Sequence, residues 1–139
     1  MSTDTPYISI TFRSDLALLI VRWLREVSQT ELQQGYLEAC QVAADHQAGR
    51  WLVDSRRRAE PDAQMVDWLA QEYLPALKPA IHNLPIHLAC LVATTWRPST
   101  SPATPLAALA QTVSDIEQDY QISLFGDEGA AMAWLQEQP

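Results

Sequence analysis

Asp54 and Ser55 are followed by three consecutive arginines, Arg56, Arg57 and Arg58. Guanidinium forks suit phosphate or carboxylate, and a serine hydroxyl beside them could serve as a nucleophile or as a phosphate acceptor. A nucleophile needs a base. No histidine is placed by sequence to serve Ser55, and no Gly-x-Ser-x-Gly elbow surrounds it. With four glycines in the whole chain there is also no glycine-rich phosphate loop. His82 and His87 are five apart, straddle Pro85 and have no thiol or acidic ligand at standard spacing, and His46 stands alone. No metal, no cofactor and no catalytic residue is therefore expected. Cys40 lies on an apolar helix face and Cys90 inside an apolar strand, where thiols act as small hydrophobes. What remains is recognition by the arginines. The competing reading of such a run is a solvated loop that keeps a sheet edge soluble.

The bulk properties narrow the classes. A chain of 139 residues that is 47% hydrophobic has the size of one domain, here 1–139 with its core at about 7–136. A formal charge of -8 opposes non-specific binding to nucleic acid, so no nucleic-acid partner is expected. The apolar run Leu16 to Val21 is far short of the roughly 20 residues a membrane span requires. Met1-Ser2-Thr3-Asp4 lacks the basic and apolar regions of a signal peptide, and the expectation is a cytoplasmic protein.

Periodicity supplies the elements that must position the arginines. Ile8, Ile10 and Phe12 alternate with polar residues as in a strand with one wet face. Leu16 to Val21 is apolar throughout, as in a strand covered on both faces, and the three-residue link Arg13-Ser14-Asp15 makes the two strands antiparallel. Ser28-Gln29-Thr30-Glu31 fits a capping box and opens a helix with Leu32, Tyr36, Ala39, Cys40 and Ala43 inward, ending near Gly49. Trp51-Leu52-Val53 is a short strand. Pro61-Asp62 starts a second helix facing inward through Met65, Val66, Leu69, Tyr73 and Leu77, with Pro75 kinking or ending it. Leu88 to Ala93 is the next strand, Thr94 to Pro102 an irregular loop, and Leu106, Leu109, Ala110, Val113 and Ile116 mark a third helix. Ile122 to Phe125 is the last strand, and Asp127 caps a terminal helix with Ala131, Trp134 and Leu135 inward. The order ββαβαβαβα predicts an α/β fold: a mixed, mostly parallel five-stranded sheet, about four helices, and the first strand antiparallel at an edge.

That topology has a functional consequence. In open α/β sheets ligands lie beyond the carboxyl ends of the strands. The segments leaving those ends carry Arg25, Arg56, Arg57, Arg58 and Arg97, five of the nine basic residues, whereas everything after Arg97 that is charged is acidic. A recognition rim on an otherwise acidic molecule is the expectation. Trp96, in the polar loop, is either an anchor for a partner or a plug on the core. Trp23, Trp51, Trp68 and Trp134 sit in periodic apolar settings and read as core.

The opening hairpin, Arg50-Trp51-Leu52-Val53-Asp54-Ser55-Arg56, the helix Trp68-Leu69-Ala70-Gln71-Glu72-Tyr73-Leu74-Pro75, and the ending Phe125-Gly126-Asp127 through Ala133-Trp134-Leu135 resemble the SpoIIAA-like (STAS-type) small bacterial proteins. The resemblance spans roughly Tyr7 to Gln136 and is strongest to an uncharacterised branch of that superfamily. It implies a βα-wound sheet with an antiparallel first strand at one edge. It also implies partner binding, since anti-sigma-factor antagonists dock on a kinase-like factor and are switched by phosphorylation of a serine or threonine after the central strand. Ser55 is the matching position for such phosphorylation. The chain departs from the pattern after it, with Arg56-Arg57-Arg58-Ala59-Glu60-Pro61 replacing a small, glycine-containing turn.

The expected function is a non-catalytic, cytoplasmic binding or regulatory module of STAS-like type. It would engage a protein partner or a small anionic ligand through Arg25, Ser55, Arg56, Arg57, Arg58, Trp96 and Arg97. The alternative is a carrier of a small or lipid-like molecule, and a small enzyme ranks third. Oligomeric state is left open, a homodimer included.

Overall fold

The computed structural model describes residues 2–58, 63–93 and 120–137. The strand β1 (Ser2–Asp4) pairs antiparallel with β2 (Ile8–Arg13), which pairs antiparallel with β3 (Leu18–Trp23). From there the sheet is parallel: β4 (Arg50–Asp54), β5 (Ile86–Leu91) and β6 (Tyr120–Phe125) follow in order. The α/β class and the mixed, mostly parallel sheet agree with the periodicity. The strand count does not. A sixth strand, β1, takes the edge that was expected for β2, because a three-residue polar segment carries no hydrophobic pattern to announce it.

The hairpin is also shifted. β3 starts at Leu18, opposite Arg13, and the loop is Ser14 to Ala17. Ala17 adopts a left-handed conformation, φ 51°, which takes it out of the strand despite its apolar neighbours.

Helix α1 (Gln29–His46) begins as expected. Ser28 Oγ accepts from the Glu31 N–H at 3.1 Å and the Glu31 carboxylate accepts from the Ser28 N–H at 3.0 Å. It stops at His46, three residues before Gly49, with Gln47 as a left-handed cap at φ 52° whose side-chain amide donates to the Ala44 and Ala80 carbonyls. Gly49 serves another purpose, since a Cβ there would collide with the Pro85 carbonyl. The second helical stretch is one run in three parts: α2 (Ala63–Trp68), a π-helical turn (Leu69–Tyr73) and α3 (Leu74–Ala80). Pro75 neither ends nor breaks it. Its ring would clash with the carbonyl four residues back in a regular α-helix, and the wider π turn immediately before it, closed by Leu74 N–H to Leu69 C=O, removes that clash. The terminal helix α4 (Glu128–Gln136) is capped by Asp127, whose carboxylate accepts from the Ala130 N–H at 2.8 Å. The helix expected over Leu106 to Ile116, the Pro61 start, Trp96 and Arg97 lie outside the described residues.

Strand alternation sends side chains to two cores. Leu19, Val21, Trp23, Trp51, Val53 and Leu88 meet Leu32, Tyr36, Val66, Tyr73 and Leu77 from α1 and the α2–α3 run. Leu18, Leu52, Ala89 and Leu91 meet Ala131 and Leu135 from α4 on the opposite face. Coverage on both faces explains why β3, β4 and β5 read as nearly continuous apolar runs. Trp23 and Trp51 are each 1% exposed, and burial of such rings dominates the packing energy.

Candidate binding site at the carboxyl ends of the strands

The parallel register aligns the ends of four strands. Arg22 stands opposite Asp54, Asp54 opposite Leu91, and Leu91 opposite Phe125. On this row an ion-pair cluster is built. Arg22 Nη1 donates to Asp54 Oδ2 at 2.9 Å and to Glu128 Oε1 at 3.0 Å. Arg56 closes a bidentate pair with Asp54, Nε to Oδ1 at 2.9 Å and Nη2 to Oδ2 at 2.8 Å, and reaches Glu128 at 3.5 Å. Burial alone would raise the Asp54 carboxyl, but the hydrogen bonds from Arg56 and Arg22 outweigh it and hold the group below the usual carboxylate range. Glu128 raises Arg22, and Asp54 raises Arg56. Two guanidiniums thus face two carboxylates, and the cluster is close to neutral.

The other arginines of the rim take different roles. Arg25 is exposed, donates to Glu31 at 3.0 Å and lies 5.6 Å from the Tyr7 ring, tying the end of β3 to the start of α1. Arg57 is exposed beside Arg22, Trp23, Leu24, Asp54 and Arg56 on an open groove of about 410 Å³. Arg58 turns inward, over the Trp23 ring at 5.2 Å, with Nη2 3.6 Å from Met65 Sδ and Nε 3.9 Å from Glu26. Three adjacent residues of one type therefore differ in setting: Arg56, exposed, is tied into the ion-pair cluster, Arg57 stands on the open groove and Arg58 is buried. Arg25, Ser55, Arg56, Arg57 and Arg58 all follow strand ends on the same side of the sheet, as the topology requires. The segment after β5, with Trp96 and Arg97, is outside the described residues.

Ser55 is 7% exposed. Its N–H donates to the Leu91 carbonyl at 2.9 Å, and its own carbonyl accepts from the Arg58 N–H at 3.1 Å, a turn that fixes the segment. Trp51, Val53 and Ser55 alternate onto one face, and that face is the floor of a cleft of about 50 Å³. Leu32 and Tyr36 of α1, Met65 of α2 and Leu69 and Tyr73 of the π turn wall it, and Ser55 and Arg58, just beyond the carboxyl end of β4, are the polar residues among its lining. Tyr73 Oη donates to the Tyr36 carbonyl at 2.6 Å and so holds the π turn against α1. Burial pushes Tyr36 and Cys90, both lining the cleft, up to about 12, which keeps the phenol and the thiol protonated at neutral pH.

Sequence reasoning missed Arg22, Glu128 and the cleft. The signal for Arg22 is a lone charge in the otherwise apolar stretch Leu18 to Trp23, which demands a carboxylate partner once the strand is known to be internal. Among the described residues there is no group of three His, Cys, Asp or Glu able to hold a metal ion, and no helix is long and apolar enough to cross a membrane. Buried His87, 5% exposed, packs its ring 5.9 Å from Trp134 on the α4 face, away from the cleft, and burial followed by the Arg50 charge lowers it. Comparison with family models, curated proteins and solved structures finds no match.

Proposed function

We propose that the chain is a non-catalytic binding or regulatory module of STAS-like type that engages an anionic group, on a protein partner or a small molecule, at the carboxyl edge of its parallel strands. The observation that carries this reading is the alignment of the β3 and β4 ends, Arg22 opposite Asp54, from which residues 54 to 58 leave the sheet. That exit puts Arg57 on an open groove and turns Ser55 and Arg58 into the cleft below. Asp54, the carboxylate adjacent to Ser55, is held by two guanidiniums, and among the described residues Ser55 has no histidine as a hydrogen-bond partner. Both facts favour binding over hydrolysis. The test is titration with inorganic phosphate and a phosphoserine peptide of wild type, Arg56→Ala and Arg57→Ala. Arg57→Ala should weaken binding, and equal affinity for all three proteins would remove the rim as a recognition surface. A regulatory role through Ser55 requires opening of a 7% exposed segment, so Ser55→Asp should perturb the rim and change the set of captured partners.

A second reading, a carrier of a small apolar molecule, is favoured by one feature of its own. An apolar cleft with two polar residues among its lining is the usual form of a small-ligand site.

A further inference from the structure

We propose that His87 is an acid-sensitive latch on the terminal helix: when its imidazole gains a proton, α4 leaves the sheet and takes Glu128 away from Arg22 and Arg56. That release regulates the rim as an anion site, a consequence that rests on the rim reading.

The latch is built from a buried, incompletely bonded imidazole. His87 shares a sheet face with Ala89 and Leu91, and among the described residues α4 is the helix that covers this face, through Ala131, Trp134 and Leu135. His87 is 5% exposed, its Nδ1 is buried with no hydrogen-bond partner, and the Trp134 ring stands edge-on to it at 5.9 Å. A neutral imidazole can leave that nitrogen without a proton. The imidazolium cannot, because it carries a donor on each nitrogen, and Nδ1 becomes a buried donor with nothing to accept it.

The surrounding charges do not compensate. β4 places Arg50 directly across in register, and its guanidinium donates to the Leu135 carbonyl in the last turn of α4 at 3.3 Å and to the Leu16 carbonyl at 3.0 Å. β6 places the uncharged Gln121 in register. Along β5 the other ionisable group is Cys90, on the opposite face. The hairpin loop adds Asp15, which is exposed and paired with Arg13. Of the α4 carboxylates, Glu128 is at the far end on Arg22 and Arg56, and Glu137, just past the helix, is exposed. Burial first and the Arg50 charge second hold His87 below its ordinary value of 6.5, and no carboxylate opposes them. A proton on His87 therefore sets two cations side by side at the C-terminal end of α4.

The sign follows from which state binds the proton first. With α4 released, His87 meets water and titrates near 6.5, so docking weakens as the pH falls from there through the depressed docked value. The helix gives way before the sheet does. It is nine residues long and buries Ala131 and Leu135, whereas the opposite face keeps the larger core with α1 and the α2–α3 run.

The experiment is amide hydrogen exchange of the full chain by NMR, expressed as protection relative to the unstructured rate at each pH, with the His87 imidazole followed in parallel. Between about pH 7.5 and about pH 5, protection at Ala131 and Leu135 should fall at least about fivefold relative to β4, in step with the His87 titration. His87→Phe keeps a ring against Trp134 and cannot titrate, so it should abolish the fall. If that variant does not fold, wild type decides: α4 protection that stays constant, or that falls without following His87, overturns the latch. Sulfate, a dianion throughout this range, reads the rim, and wild type should bind it at least about threefold tighter at the lower pH, with a smaller gain in His87→Phe. Equal gains in the two proteins overturn the regulation, whereas no sulfate binding at either pH overturns the rim reading and leaves the latch standing.

Discussion

Tyr73 Oη donates a 2.6 Å hydrogen bond to the Tyr36 carbonyl, joining a π-helical turn to the middle of α1 across the apolar cleft. Both groups are buried, and the rings meet at 5.0 Å with an interplanar angle of 56°. Tyr73→Phe keeps the ring and removes only the donor. A typical intramolecular hydrogen bond contributes about 1 kcal/mol, so urea denaturation should show a loss of that order with an unchanged m-value. A loss well above it would mean that the hydroxyl also fixes the π turn.

Gly35 sets two effects of opposite sign against each other. Replacing a mid-helix glycine with alanine stabilises an exposed helix by roughly 0.5–1 kcal/mol. Here the added Cβ would meet Trp23 Cη2 at 2.6 Å and Ile8 Cδ1 at 2.9 Å, both in the interior of the sheet face. Overpacking of that kind costs about 1–3 kcal/mol and outweighs the helical gain. Gly35→Ala should therefore lower stability by roughly 1 kcal/mol in chemical denaturation and alter the near-UV signal of Trp23. A stabilised variant would contradict the close packing of α1 on β3.

Asp54 makes the rim sensitive to acid. Its folded-state carboxyl is held below the ordinary value of 3.8, so the unfolded chain binds its proton first as the pH falls. The stability it contributes is complete above the unfolded value and is lost as the pH drops through the depressed folded one. Asp54→Asn should remove that part of the acid limb and cost about 2 kcal/mol at neutral pH, because Arg22 and Arg56 each lose a charged acceptor. Comparing wild type and variant melts between neutral pH and the acid limb checks it, and parallel acid limbs would show that other carboxylates govern acid unfolding.

How much of this site was legible follows from where hydrophobic pattern ends and pairing begins. The capping box at Ser28, the inward stripe of α1 and the four core tryptophans are local in cause, and local spacing finds them. Ser55 and the arginine run were visible as residue types and their side of the sheet as topology. The division of labour within the run was not, because Arg56 is directed by Asp54 and Glu128 and Arg58 by Trp23, Met65 and Glu26. Glu128 lies 72 positions from Arg56 in the chain. The same limit hid Arg22, whose exclusion came from ending its strand at Val21, when the turn at Ala17 moves the strand two residues onward. The cleft was invisible for a further reason: it depends on the π turn, and apolar residues at helical spacing look alike in α and π geometry.

Glu128 offers the sharpest handle on whether the rim recognises anions. It stands within 3.0 Å of Arg22 and 3.5 Å of Arg56, partly exposed, and occupies guanidinium positions an incoming phosphate would use. Two unit charges about 4 Å apart in water interact by about 1 kcal/mol, so removing this one charge should strengthen phosphate binding roughly fivefold. Glu128→Gln should therefore raise the affinity for inorganic phosphate measured by calorimetry, and the gain should shrink as salt is added, as screening of an exposed group requires. Combining it with Arg57→Ala separates the contributions. If Arg57 is the primary contact, the double variant falls back to or below wild type. If phosphate binds Glu128→Gln no better than wild type, the carboxylate and the ligand do not share these guanidiniums, and the rim cluster is a structural clasp between β3, β4 and α4.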